Sequence, residues 1–181
     1  MNSEWIQGCR QHHPESQRRF FKWLAPVMMT VCRRYAPDRA TAEDILQEAF
    51  VKVFRHFDRY QPDKSPVEAW VRRIVVNTAI EHWRKWQKQY VLITEDNIPD
   101  QFSDPGGAMQ LEAEDILALI QRLPPGFKMV FNLYAVEGYS HAEIAQLLNI
   151  TESASRSQLA RARKQLQEML SLQNSATDGT F

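Results

Sequence analysis

Cysteine is nearly absent: Cys9 and Cys32 are the only two in 181 residues. They have no metal-ligand spacing and cannot make a disulfide framework, and Cys32 falls among apolar residues. The expectation is a pair of buried, reduced thiols. Histidine is as sparse. His12, His13, His56, His82 and His141 are scattered and form no ligand set with cysteines or carboxylates, so neither a metal nor a cofactor is expected. With six glycines there is no glycine-rich phosphate loop, and no nucleophile is paired with a base, so an enzyme is not expected. No apolar run is long enough to span a bilayer, and the N-terminal stretch lacks a signal-peptide pattern. A soluble, cytoplasmic protein with no membrane insertion is predicted. Even an excess of charge is missing. Lys and Arg number 22 against 22 Asp and Glu, which removes the global basic signature of a nucleic-acid binder.

The balance hides a local asymmetry. Residues 94–115 carry Glu95, Asp96, Asp100, Asp104, Glu112, Glu114 and Asp115 with no cation among them. Residues 72–88 carry Arg72, Arg73, Arg84, Lys85 and Lys88 against Glu81 alone. Local basic surfaces are therefore compatible with a neutral total.

Helical periodicity dominates what is present. Residues 1–35 read as helix throughout, with a thick apolar face from Phe20, Phe21, Trp23, Leu24, Val27, Met28, Val31, Cys32 and Tyr35. Pro26 falls inside that run and should kink it or start a new helix. After a turn at 37–40, Thr41 with Asp44 predicts a capped helix to about Phe57. Ile45, Leu46, Ala49, Phe50, Val53, Phe54 and Phe57 supply its buried side, leaving Asp44, Gln47, Glu48 and Lys52 outside. That strip is either a solvated face or a dock for a basic helix. A loop over 58–65 leads to Ser65, Pro66 and Glu68, which open a third helix. Val67, Trp70, Val71, Ile74, Val75, Thr78 and Trp83 face mostly inward. Arg73, Asn77, Glu81, Arg84 and Lys88 form a polar stripe suited to melted DNA, where Arg tracks phosphate while Asn and aromatic groups engage unstacked bases. Trp83 and Trp86 are each expected to pack the domain.

Residues 90–107, with Pro99, Pro105, Gly106, Gly107 and several acids, read as a linker. Helix resumes at Leu111, stops at 124–126 and returns over 127–137, with Gly138 as its terminator. From there two helices follow across a very short turn. Ser140 and Glu143 make a capping box, Asn149 takes the left-handed turn position and Thr151 caps the second helix. Ser155, Leu159, Ala162, Leu166 and Met169 form that helix's buried stripe. Arg156, Ser157, Ala160, Arg161, Arg163 and Lys164 lie outside it. Short polar and Arg side chains on a capped helix suit the DNA major groove. A polar, frayed tail is expected from Asn174.

With these residues in view, the chain resembles the extracytoplasmic-function (ECF) sigma factors of the sigma-70 family over roughly 5–170. AEDILQEAFVKVF (42–54), AWVRRIVVNTAIEHWR (69–84) and the block from LPPG (123–126) to Leu166 carry the likeness. The wording ESASRSQLARAR (152–163) looks most like members from the Bacteroidetes. The resemblance implies an all-α protein of two small helical domains joined by a flexible linker: region 2 over 1–89, an acidic linker over 90–110, region 4 over 111–172 and a disordered tail over 173–181. It implies that Asp44, Gln47 and Glu48 grip the β′ clamp helices of core RNA polymerase. Asp58, Trp70, Arg73, Asn77, Arg84 and Lys85 would open and read the −10 element of promoter DNA, while Ser153, Arg156, Ser157 and Arg161 would face the −35 element. Surfaces near them would touch the polymerase β flap, and an anti-sigma factor is expected as a further partner. Three positions depart from the common pattern: Asn149 stands for Gly, Glu81 for Asp, and Ser155 for Val, which predicts looser packing under the last helix. The rival reading is a stand-alone regulator that binds a palindrome as a dimer through the C-terminal helices.

Overall fold

The computed structural model describes residues 3–93 and 113–177, and among them no strand occurs. The chain divides into two compact units, Met1–Gln89 and Tyr90–Phe181. The expected linker falls largely outside the described residues.

In the first unit α1 (Ser3–Arg10) and α2 (Pro14–Tyr35) are separate helices packed on one another, broken at 11–13 where the residues read as helix throughout. The break is local. His12 adopts a left-handed conformation at φ 56°, and His13 N–H bonds to the Gly8 carbonyl at 2.8 Å. A Cβ on Gly8 would collide with the Ser16 hydroxyl, so only glycine permits this approach. Pro26 starts no new helix. It and Lys22, whose carbonyl loses its donor, are both exposed, so water can take that carbonyl. Helix α3 (Arg39–Arg55) is capped by Asp38 rather than Thr41: the Asp38 carboxylate accepts from Thr41 N–H at 2.7 Å. It ends two residues earlier than expected, at a 3-10 turn, Phe57–Arg59. Helix α4 (Val67–Ile93) opens one residue later than the Pro66 start, with the Pro66 carbonyl accepting from Trp70 N–H.

An aromatic cluster holds this unit. Phe20 meets Phe57 edge-on at 5.2 Å between centroids, and Phe57 meets Trp70 at 5.5 Å. Such pairs add about 1 kcal/mol each beyond their buried area. Cys9 and Cys32 are fully buried here. Phe21, Trp23 and Val27, expected on the apolar face, are exposed at 37%, 38% and 56%. The packed stripe of α2 is narrower, made of Phe20, Leu24, Met28, Val31, Cys32 and Tyr35.

The second unit contains α5 (Ala113–Gln121), α6 (Pro125–Phe131), α7 (His141–Leu148) and α8 (Glu152–Thr177). Between α6 and α7 the chain widens into a π turn, Asn132–Val136, where ordinary helix was expected. Glu137 N–H reaches back to Asn132 and Tyr139 N–H to Leu133, and Gly138 closes the turn at φ 77°. Lys128 of α6 is buried, 6% exposed, with Nζ donating to Gln121 Oε1 at 3.1 Å. Burial pushes its amine down to about 8. Helix α8 continues through Asn174 to Thr177, past the expected fraying point.

Candidate nucleic-acid and polymerase interface

On α3, Asp44 and Gln47 are exposed. Glu48, expected beside them, is instead half-buried and tied down. Its Oε2 accepts from His82 Nε2–H of α4 at 2.7 Å, and its Oε1 pairs with Lys52 at 3.0 Å. Lys52 also reaches Glu81 at 2.7 Å and Thr78 at 3.2 Å. Beside Gln47 lies a groove of about 440 Å³ lined mainly by Phe21, Leu46, Phe50, Val51 and Phe54. Val51 is 51% exposed. Residues 44, 47 and 51 are spaced to share one helical face, so that spacing could have placed Val51 on the strip.

Helix α4 carries the second set. Positions 70, 73, 77, 81 and 84 follow the same periodicity, which draws Trp70 into the stripe. Arg73, Asn77 and Lys85 are exposed and Arg84 is half-buried. Asp58 is exposed on the 3-10 turn. Trp70 is half-buried against Phe57 and Tyr60, the latter at 5.3 Å. Tyr60 holds the loop in turn: its hydroxyl donates to the Ser65 carbonyl at 3.1 Å, and its own carbonyl accepts from Arg10 at 2.6 Å. Trp83 is half-buried, but Trp86 is 42% exposed at the far end of the stripe, contrary to the packing expectation.

In the second unit the capping chemistry is as the residues predict. Ser140 and Glu143 close a complete capping box, Asn149 sits at φ 55°, ψ 47°, and Thr151 Oγ1 accepts from Ala154 N–H at 3.0 Å. Ser153, Arg156, Ser157 and Arg161 are exposed on α8, as are Arg163 and Lys164. Arg156 pairs with Glu152 at 2.7 Å. Ser155 is fully buried, and its Oγ lies 2.9 Å from His141 Nδ1. The packing expected to loosen there is closed by a hydrogen bond.

Residues 20–89 match the model of sigma-70 region 2, and residues 113–166 that of sigma-70 region 4. The chain is 31% identical to the ECF RNA polymerase sigma factor SigM of Bacillus subtilis strain 168 over 135 residues, covering 73% of this chain and 81% of that one. It belongs to the ECF sigma factors of the sigma-70 family. The ECF RNA polymerase sigma-E factor of Escherichia coli K12 is 29% identical over 143 residues, or 72% and 74% of the two chains. The sigma factor RpoE of Bartonella quintana, solved with the anti-sigma factor NepR, shares the fold at a TM-score of 0.52 and 20% identity. That match covers 85% of this chain and 96% of the other.

This ECF sigma factor is thus a transcription initiation factor whose two units match regions 2 and 4. Among its described residues no group of His, Cys, Asp and Glu is placed to hold a metal, and no helix is long and apolar enough to cross a membrane. Its α3–α4 cluster has a pH signature. Hydrogen bonds first from Lys52 and then from His82 hold the Glu48 carboxyl down at about 2, against an ordinary 4.5. A depressed carboxyl contributes stability that is complete above the unfolded value and fades as pH falls toward the folded one. Glu48→Gln should therefore cost of order 1 kcal/mol at pH 7, after allowing for solvent screening. The difference should close between pH 4.5 and 2, as read by urea unfolding at each pH. An unchanged gap across that window would remove the ion cluster as its source.

Proposed function

We propose that the first unit docks on core RNA polymerase through Asp44, Gln47 and the groove beside them, and that Glu48 orients this strip rather than touching the partner. The stripe of Trp70, Arg73, Asn77, Arg84 and Lys85, with Asp58 on the adjoining turn, captures the opened −10 strand. Arg156, Ser157, Arg161 and Ser153 read the −35 element. The observation that carries this reading is the pair of exposed faces on one small unit, an acid–amide–apolar strip on α3 and a basic–aromatic stripe on α4. A stand-alone dimeric regulator needs neither. The polymerase makes the bonds; this chain lowers the cost of strand opening by holding unstacked bases. Its two modest DNA surfaces act together because the polymerase fixes their spacing. The setting is cytoplasmic, and an anti-sigma factor is the expected inhibitor, supported by the complexed state of the Bartonella relative.

Transcription of genomic fragments by sigma-free core polymerase, with and without this protein, tests the reading. Discrete starts that appear only on addition, sharing −10 and −35 sequences, are expected. Dimeric DNA binding with no new starts would overturn it in favour of the regulator.

A further inference from the structure

The recognition helix is held by contacts that its exposed arginines do not reveal. Ser155 sits on the inner face of α8, fully buried. A buried hydroxyl needs a partner, and His141, the first residue of α7, supplies it at 2.9 Å. The His141 ring is itself fixed. It stacks on Tyr134 of the π turn at 4.6 Å between centroids and 22° between planes. Arg163, further along α8, lies over the same Tyr134 ring at 5.7 Å. Three successive elements are thus clamped about one hydrogen bond, with a second tie to α8 one ring away.

We propose that the His141–Ser155 hydrogen bond, backed by the stack on Tyr134, sets the roll of α8 and thereby the base discrimination of its Arg156–Arg161 face. The proposal rests on the assignment of that face to the −35 element. Its physical basis is leverage. A helix with side chains is about 10–12 Å across, so a roll of about 15° moves a surface tip by about 1.5 Å. Bidentate Arg–guanine contacts tolerate only a few tenths of an ångström. Leu159 and Ala162 pack the same face of α8, and the hydrogen bond adds to that packing a directional restraint tying α8 to α7 at one fixed atom pair. Ser155 and His141 are positioning residues and touch no DNA.

The test uses complete holoenzyme, formed from the full chain and its core polymerase, on a promoter set carrying every single-base change in the −35 element. The readout is the ratio of initiation on the best sequence to that on each variant, from which the folded fraction cancels. His141→Phe keeps a ring to stack but loses the bond, and Ser155→Ala loses the hydroxyl; each should flatten the ratio about tenfold. The double variant should be no flatter than either single one, since both remove the same interaction. His141→Asn, whose amide can occupy the Nδ1 position, should restore most of the discrimination. Arg161→Ala serves as the reference for direct reading. If Arg161→Ala flattens the ratio while His141→Phe and Ser155→Ala leave it unchanged, the positioning role is overturned and the −35 assignment stands. If Arg161→Ala also changes nothing, the −35 assignment falls and the positioning role with it.

Discussion

Asp44→Lys combined with Gln47→Lys should weaken binding to core polymerase by more than about 100-fold, because like charges at a docking face cost several kcal/mol. Both side chains are exposed on α3, and Lys is a good helix former. The melting temperature should therefore move little, within what about 0.5 kcal/mol allows for a surface change. The choice of residues matters. Glu48→Lys would look equivalent from the sequence, yet it would also set a cation against Lys52 and His82. A loss there would confuse binding with folding. Competition for core polymerase against a labelled sigma factor gives the affinity, and the urea midpoint gives the fold. Unchanged competition by the folded double variant would remove the α3 strip from the interface.

Lys128→Met should stabilise the second unit by about 1–3 kcal/mol at pH 7. The buried amine has a folded-state value near 8 against 10.5 in the unfolded chain. Between those values the unfolded chain holds the extra proton, so stability rises with pH from about 8 to 10.5. At neutral pH the folded protein carries the cost of holding this charge out of water, offset in part by the bond to Gln121, and an uncharged chain of similar length avoids that cost. The gain should shrink toward pH 10. The two units can be followed apart, since all five Trp residues lie at or before Trp86. Indole fluorescence then reports the first unit, and helical circular dichroism adds the second. A destabilised Lys128→Met at pH 7 would mean that the amine's bonds, including that to Gln121, outweigh its burial.

Legibility in the sequence tracked how local each interaction is. The helix-turn-helix was readable because its determinants lie within a few residues of one another: Ser140 with Glu143, Asn149 at the turn, Thr151 before Ala154. The α4 stripe was readable from periodicity alone. Asp38 against Thr41 was a contest between two good caps one turn apart, and the Asp38 carbonyl already accepts the first helical bond, from Ala42. What the residues concealed was non-local. Glu48 finds His82 at 34 positions' distance, so no pattern on α3 shows that it is engaged. Asn132 and Leu133 of the π turn are both buried, a tertiary placement that no local pattern shows. Phe21 and Val51 lie exposed about a groove, where an apolar residue in a helix is by default assigned to the core.

The burial of Cys9 and Cys32 has a consequence for how this protein meets chemical stress. Desolvation pushes the two thiols up to about 11 and about 12. At neutral pH only about one Cys9 in ten thousand is then a thiolate, the form that attacks oxidants and alkylating agents. Neither sulfur can answer an oxidant while its helix stays packed. Each reacts only after α1 or α2 has opened, so what these thiols register is the fraction of time their own helices spend open, a local event that need not unfold the rest of the first unit.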